Sequence, residues 1–390
     1  MRLAVFGSTG SIGGQTLEVV RAHPDRMTVT ALAAGRRVDL LVPQVIELRP
    51  ESVAVADRAA GAEVRSAVGH LARVEIGPEA VEALAADSSC SDTQVHAITG
   101  IAGLRPMLAG LAAGARVAFA TKEPLVAAGE LVLRECARQG AGLAPIDSEI
   151  SALWQCIGPK RAWVDSPSPV RRIILTASGG PFRAWPPDRI RSATLEQALD
   201  HPTWRMGAKI TIDSASLMNK GLEVIEASRF FGVPCDRIEV IVHPQSVVHS
   251  MVEFDDGSTL AQLGRPDMRL PIQYALLAPD RPRNPFDRLD WREIGRLEFE
   301  PVDMLKFPCL RLAYEALRAG GTATTVLNAA NEVANAAFGA ERIAFGMIAE
   351  SVEHALERHS ARAADSLDDV EAADDEGRRL AAEFLGCDLG

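Results

Sequence analysis

The sequence has no C-x-x-C pair, and its six cysteines (Cys90, Cys136, Cys156, Cys235, Cys309 and Cys387) are scattered along 390 residues. That scatter argues against a zinc site or a disulfide frame and fits reduced thiols. No apolar run approaches the roughly 18 residues that a membrane span requires. A charged-then-apolar leader is missing too, since the chain opens directly on a strand, and a soluble cytoplasmic protein is expected. Positive charge is not in excess: the formal net charge is −11, which argues against nucleic acid or an anionic membrane as the main partner. An anionic small substrate would therefore need a local cationic pocket. No internal repeat or low-complexity tract stands out. What remains is ordinary for a globular chain, 47% hydrophobic and 24% charged, with a length that suits two or three domains.

The first third alternates strand and helix patterns. Leu3-Ala4-Val5-Phe6 reads as a buried strand, Gly7-Ser8-Thr9-Gly10-Ser11-Ile12-Gly13 as a glycine loop, and Thr16, Leu17, Val19 and Val20 as a helix face. Glycines let a backbone approach a diphosphate, and free N–H groups at a helix start meet its charge. The spacing is G-x-x-G-x-x-G, and a tight turn without a ligand would also produce it. A second strand, Met27 to Ala33, runs into Gly35-Arg36-Arg37, where two arginines suit the 2′-phosphate of NADP better than the hydroxyls of NAD. Further strands are expected at Val53–Ala56, Val95–Ile98 and Arg116–Ala120, which makes a doubly wound parallel sheet. Ligands of such sheets gather beyond the carboxyl ends of the strands, where Thr121-Lys122-Glu123 and Asp147-Ser148-Glu149 both fall.

Ala141–Ala144 leads into Asp147-Ser148-Glu149 and admits two readings. On an extended segment the two acids would point the same way and need a cation. Alternatively the segment is a loop opening a helix, with Asp147 or Ser148 as its N-cap. Beyond it, a strand at Arg172–Thr176 enters Ser178-Gly179-Gly180-Pro181-Phe182, a second candidate anion turn. His201-Pro202-Thr203-Trp204-Arg205-Met206-Gly207 has neither helical nor strand period and reads as a lid. Ser214, Asn219 and Lys220 offer the donors a phosphate monoester would use, and Glu223 lies one helical turn past Lys220, where a plain salt bridge would also account for it. His243 and His249 follow, each of which alone suits a structural role, and a hairpin is expected to turn at Asp255-Asp256-Gly257. Pro279–Pro285 reads as a linker, the segments from Pro308 onward as a helical bundle, and the acidic run Asp365–Glu376 as a solvated loop.

Taken together, GSTGSIG (Gly7–Gly13), Thr121–Glu123, DSE (Asp147–Glu149), SGGPF (Ser178–Phe182), HPTWRMG (His201–Gly207), DSASLMNKGLE (Asp213–Glu223), HPQSVVHS (His243–Ser250) and LNAANE (Leu327–Glu332) closely resemble the 1-deoxy-D-xylulose 5-phosphate reductoisomerase family over nearly the whole chain. The resemblance implies an α/β protein with an N-terminal Rossmann-like doubly wound parallel sheet, a central α/β catalytic domain and a C-terminal helical bundle. Its boundaries are expected as an NADPH-binding domain over 1–146, a catalytic and dimerisation domain over 147–278, a linker over 279–300 and the bundle over 301–390. It implies Mg²⁺ or Mn²⁺ on Asp147, Glu149 and Glu223, an all-oxygen set that suits a hard dication. Lys122, Ser148, Glu149, Ser178, His201, Ser214, Asn219, Lys220 and Glu223 would bind a small phosphorylated substrate. Lys122, Glu149, His201, Trp204, Met206 and His249 make up the implied catalytic set. Thr9, Gly10, Ser11, Ile12, Gly35, Arg36, Arg37, Thr121, Glu123 and Gly207 match positions that contact NADPH. The implied reaction rearranges the carbon skeleton of 1-deoxy-D-xylulose 5-phosphate and reduces the resulting aldehyde to 2-C-methyl-D-erythritol 4-phosphate, in isoprenoid biosynthesis. A homodimer formed through the hairpin around 246–263 is expected by the same resemblance. The chain departs from the family pattern at Thr121, Ile150, Ser151, Arg205 and Ala208, which leaves a paralogous reductase of a related phosphorylated or phosphonate carbonyl compound as the alternative.

Overall fold

A computed structural model describes residues 1–158 and 169–387. Its contacts divide the chain into a first unit of residues 1–124, 132–151 and 267–287, and a second of 125–131, 152–266 and 288–390. No helix among the described residues is long and apolar enough to cross a membrane.

The first unit is built on seven parallel strands in the order β4-β3-β2-β1-β5-β6-β7. They are β1 Arg2–Phe6, β2 Thr28–Ala34, β3 Ser52–Val55, β4 Arg73–Ile76, β5 Thr93–His96, β6 Arg116–Phe119 and β7 Leu143–Pro145. Strands covered on both faces read as unbroken apolar runs, which is how β1, β2 and β3 were legible. Sequence reasoning passed over β4, because Arg73-Val74-Glu75-Ile76 is an edge strand with charged residues at alternate positions. The strand order reverses between β1 and β5, opening the crevice where such sheets take ligands.

The expected linker over 279–300 is anchored over its first residues, and the chain passes from the first unit to the second within it, after residue 287. The helix Arg269–Leu277 packs beside the helix Ser11–Ala22, and Arg116 donates to the Ala275 carbonyl. Asp280 pairs with Arg26 at 2.9 Å, and Gln273 donates to the Pro282 carbonyl at 3.1 Å. Of the arginines that suggested a loose connector, Arg281 lies over the Tyr274 ring.

The second unit carries a five-stranded sheet in the order β11-β10-β8-β9-β12, with β8 Val170–Ala177, β9 Ile238–Val242, β10 Val248–Phe254, β11 Thr259–Leu263 and β12 Glu300–Pro301. The hairpin β10–β11 turns at Asp255-Asp256-Gly257 as expected, and Gly257 takes the positive φ the turn demands. Helices Met218–Phe231, Pro308–Ala319, Ala323–Gly339, Met347–Arg358 and Leu367–Leu385 pack on one another, so the C-terminal bundle continues from the helix Met218–Phe231. The acidic run proves to be helical. Ser366 and Asp369 form a capping box, the acids of the first turn face the positive end of the helix dipole, and Val370, Ala373, Gly377, Leu380 and Ala381 make the buried stripe.

One buried cation organises this unit. The helix Glu123–Gln139 breaks at Ala128, where φ is −135° and ψ is 32°. Arg229 donates to the carbonyls of Leu125 and Val126, at 2.5 and 2.7 Å, and to Thr324 Oγ1 at 2.7 Å. Thr325 Oγ1 donates to the Ala127 carbonyl at 2.7 Å. Burial lowers the Arg229 guanidinium to about 10, which still leaves it charged at neutral pH. Replacing Arg229 with Met orphans two buried carbonyls, and a loss of roughly 3 kcal/mol is expected in urea unfolding. Removing the Ser366 cap with Ser366→Ala should cost only about 1 kcal/mol in the same measurement.

Candidate active site

In the first unit the glycine loop joins β1 to the helix Ser11–Ala22. Gly7 has φ +86°, and a Cβ there would lie 2.5 Å from the Ala97 carbonyl oxygen. A Cβ on Gly13 would come within 2.2 Å of the Gly7 carbonyl oxygen, so only glycine lets loop and helix meet. Gly10 is the N-cap and no side chain caps this helix, which leaves its first amides to a ligand. A cleft of about 540 Å³ is lined by Gly7, Gly10, Gly35, Ala56, Ile98 and Arg105, among others. Sequence reasoning missed Ala56, Ile98 and Arg105; their positions after β3 and β5 and on the helix Leu104–Ala112 were the available signal. Arg37 is held by Asp39 at 2.8 Å, whereas Arg36 is exposed and has no ion-pair partner among the described residues. Thr121 Oγ1 is buried without a hydrogen-bond partner among the described residues.

The same unit holds the acids. The helix reading of Asp147–Glu149 is the correct one: β7 ends at Pro145 and a helix runs from Ser148 to Ile157, with Asp147 at the N-cap position and its carbonyl accepting from Ser151 N–H at 2.7 Å. Strand alternation therefore does not bring the carboxylates together; the first helical turn does, leaving one oxygen of each within 4.8 Å of the other. Lys122, buried at the start of the helix Glu123–Gln139, pairs with Asp147 at 2.6 Å. Ser148 donates to Glu149 at 2.5 Å. The two carboxylates are oxygen donors of the kind a hard dication accepts.

In the second unit, Ser178 and His201 meet at 3.0 Å. His201 Nδ1 accepts the N–H groups of Thr203 and Trp204, at 3.1 and 2.9 Å. The proton of the neutral ring therefore sits on Nε2 and is given to Ser178 Oγ, whose own hydroxyl is left to donate to an anion. Gly180 lies against the carbonyl of Ser214, where a Cβ would be 2.7 Å away. Across the corner at Leu217, the Asn219 amide and the Lys220 ammonium both engage the buried carboxylate of Glu223. Trp204 reaches to 6.0 Å, ring to ring, from His249, and Met206 and Gly207 complete an irregular loop. His243 is structural: its Nδ1 donates to the Glu298 carbonyl, its Nε2 accepts from Val247 N–H, and it stacks on Phe299.

Three family profiles match: "1-deoxy-D-xylulose 5-phosphate reductoisomerase" over residues 3–129, its "C-terminal domain" over 143–231, and "DXP reductoisomerase C-terminal domain" over 263–380. A 1-deoxy-D-xylulose 5-phosphate reductoisomerase of Rhodospirillum centenum is 51% identical, covering 100% of this chain and 95% of its own length. That of Ralstonia nicotianae is 50% identical, over 99% of this chain and 98% of its own. The chain belongs to the 1-deoxy-D-xylulose 5-phosphate reductoisomerase family. Among solved structures, the Zymomonas mobilis reductoisomerase in complex with NADPH superposes with a TM-score of 0.91, at 41% identity and 98% coverage of both chains. A reductoisomerase in complex with NADPH, fosmidomycin and magnesium gives 0.93, at 38% identity over 99% of this chain and 98% of that one.

The departures from the family pattern fall in different settings. Ile150 and Ser151 are fully buried, while Arg205 and Ala208 are exposed. A reductoisomerase that holds His201 by its Nδ1 requires the ring neutral, and burial keeps its pKa below the ordinary 6.5. The folded value lies below the unfolded one, so the ring's contribution is whole above about 6.5 and is lost as pH falls through the folded value. An acid limb in kcat/KM with a midpoint below 6.5 is expected in a pH–rate profile, and it should vanish in His201→Gln.

Proposed function

We propose that the protein converts 1-deoxy-D-xylulose 5-phosphate to 2-C-methyl-D-erythritol 4-phosphate with NADPH and Mg²⁺ or Mn²⁺. The observation that carries this reading is the buried Lys122–Asp147 pair beside Glu149, in the unit that also carries the uncapped glycine loop and its cleft. Glu223 of the second unit is the third ligand in this reading. When bound, the dication supplies Lewis acidity and NADPH supplies hydride. Ser178, His201, Ser214, Asn219 and Lys220 bind the phosphate and hydroxyls of the substrate, and remote contacts of this kind orient the reacting end. Ser148 and Lys122 contact that end. Trp204 and Met206 cover it, which keeps water from the hydride. Thr9, Gly10, Ser11, Ile12 and Gly35 take the cofactor, with Thr121, Glu123 and Gly207 toward its reactive end.

The reading extends to a cytoplasmic homodimer. The outer strand β11 presents Leu260, half exposed, along a sheet edge that pairs with no strand among the described residues, a surface that a second copy would cover.

Following NADPH oxidation with 1-deoxy-D-xylulose 5-phosphate tests the assignment. Turnover should cease on chelation, return with Mg²⁺ or Mn²⁺, and fall roughly 10²- to 10³-fold in Glu149→Gln. Poor turnover that rises in Ile150→His with Ser151→Asn would instead favour a paralogous substrate. The two arginines should separate as well. Arg36→Ala is expected to raise the KM for NADPH about tenfold, and Arg37→Ala much less, because Asp39 already occupies that guanidinium.

A further inference from the structure

The segment Leu327–Glu332 belongs to the sequence pattern of the family, yet the reaction as derived gives it nothing to do. It lies on the helix Ala323–Gly339, which packs against the helix Ala208–Ala215 within the second unit. Three buried asparagines, Asn328, Asn331 and Asn335, recur along its face. Two of them converge on one acid. Asn331 Nδ2 donates to Asp213 Oδ1 at 2.9 Å, and Asn335 Nδ2 donates to the same oxygen at 2.8 Å. Asn335 Nδ2 also lies 2.9 Å from the Lys209 carbonyl, so one amide grips both turns of the short helix. The other oxygen, Asp213 Oδ2, pairs with the Lys209 ammonium at 2.9 Å.

Asp213 is 1% exposed. Burying a carboxylate is costly, and the three donors meet it and fix it in one orientation. The next residue is Ser214. Within 211–218 it is the one position that is not buried, and its carbonyl lies against Gly180 of the Ser178 turn. Whatever rotates or slides this helix moves the Ser214 hydroxyl relative to Ser178.

We propose that Asp213, clamped by Asn331 and Asn335, is a positioning residue that holds Ser214 for the substrate phosphate. This rests on the reading of Ser214 as a phosphate ligand. The clamp acts through Ser214 and touches no substrate.

The test compares Asn331→Leu, which keeps volume but removes the donor, with Lys209→Met, which acts at a partly exposed site and spares the core. KM for 1-deoxy-D-xylulose 5-phosphate and the inhibition constant of inorganic phosphate are measured, with NADPH-binding stoichiometry as the count of folded enzyme. Each variant should raise both constants, about tenfold for Asn331→Leu and less for Lys209→Met, with the KM for NADPH unchanged. In a Ser214→Ala background the same substitutions should have almost no further effect on phosphate inhibition. Equal effects in both backgrounds, or an unchanged phosphate constant in both single variants, would overturn the proposal. If Ser214→Ala itself leaves phosphate inhibition unchanged, the phosphate reading of Ser214 fails and the clamp fails with it.

Discussion

A carboxylate taken out of water must be met by positive charge or by N–H donors. The chain removes several, and three of them meet that demand within their own unit. Asp147 has Lys122, Glu223 has Lys220 and Asn219, and Asp213 has Lys209 with two asparagine amides. Such pairs contribute little net stability compared with a well-packed apolar substitute, but losing one partner leaves a bare buried charge at a cost of about 3–5 kcal/mol. Acids kept on those terms are kept for chemistry or for orientation. Two of the three are ligands in the proposed mechanism; the third stands beside Ser214, which binds the phosphate in the same proposal.

The corner between Ser214 and Asn219 shows the same exchange of stability for placement. Leu217 is buried with φ +57°, a left-handed conformation that an L-residue adopts at a cost of roughly 1–2 kcal/mol. Turning there ends one helix and starts the next, so that Ser214 and Asn219 are the half-buried positions in a stretch that is otherwise inside. Strain held by surrounding packing is commonly found where side chains must be aimed. Gly180, with positive φ and no Cβ, lets its turn come close to the Ser214 carbonyl. Arg229 serves a different need: it satisfies carbonyls near a broken helix, so the break at Ala128 persists in a dry interior.

Membership of the reductoisomerase family accounts for the order of the motifs, and the geometry within each unit accounts for their composition. His201 illustrates this. A loop histidine can serve as a base, but two backbone N–H groups occupy the Nδ1 of His201, and its remaining proton faces Ser178. The ring is thereby a holder of a hydroxyl, which suits binding a phosphate better than abstracting a proton.

Much of the fold was legible because burial on both faces of a parallel sheet forces apolar runs, and a glycine loop between strand and helix has few other uses. The hairpin and the C-terminal helices were readable for similar local reasons, namely turn chemistry and a helical period. The edge strand β4, the packed segment after residue 278 and the helix over the acidic run were not, because charged residues there are settled by partners distant in sequence or by a cap. Asp147 and Glu149 were recognised as a pair for a reason the structure replaced, a helical turn in place of strand alternation. By itself the sequence determined which chemical groups exist and which local elements carry them, since spacing and period are properties of a few neighbouring residues. Only the tertiary structure decided that Asn331 and Asn335 close on Asp213, that Arg36 is open while Arg37 is taken, and which nitrogen of His201 holds the proton. The asparagines and Asp213 are 118 and 122 residues apart and leave no periodic trace in the chain, and which atom a nearer partner takes is set by the folded backbone.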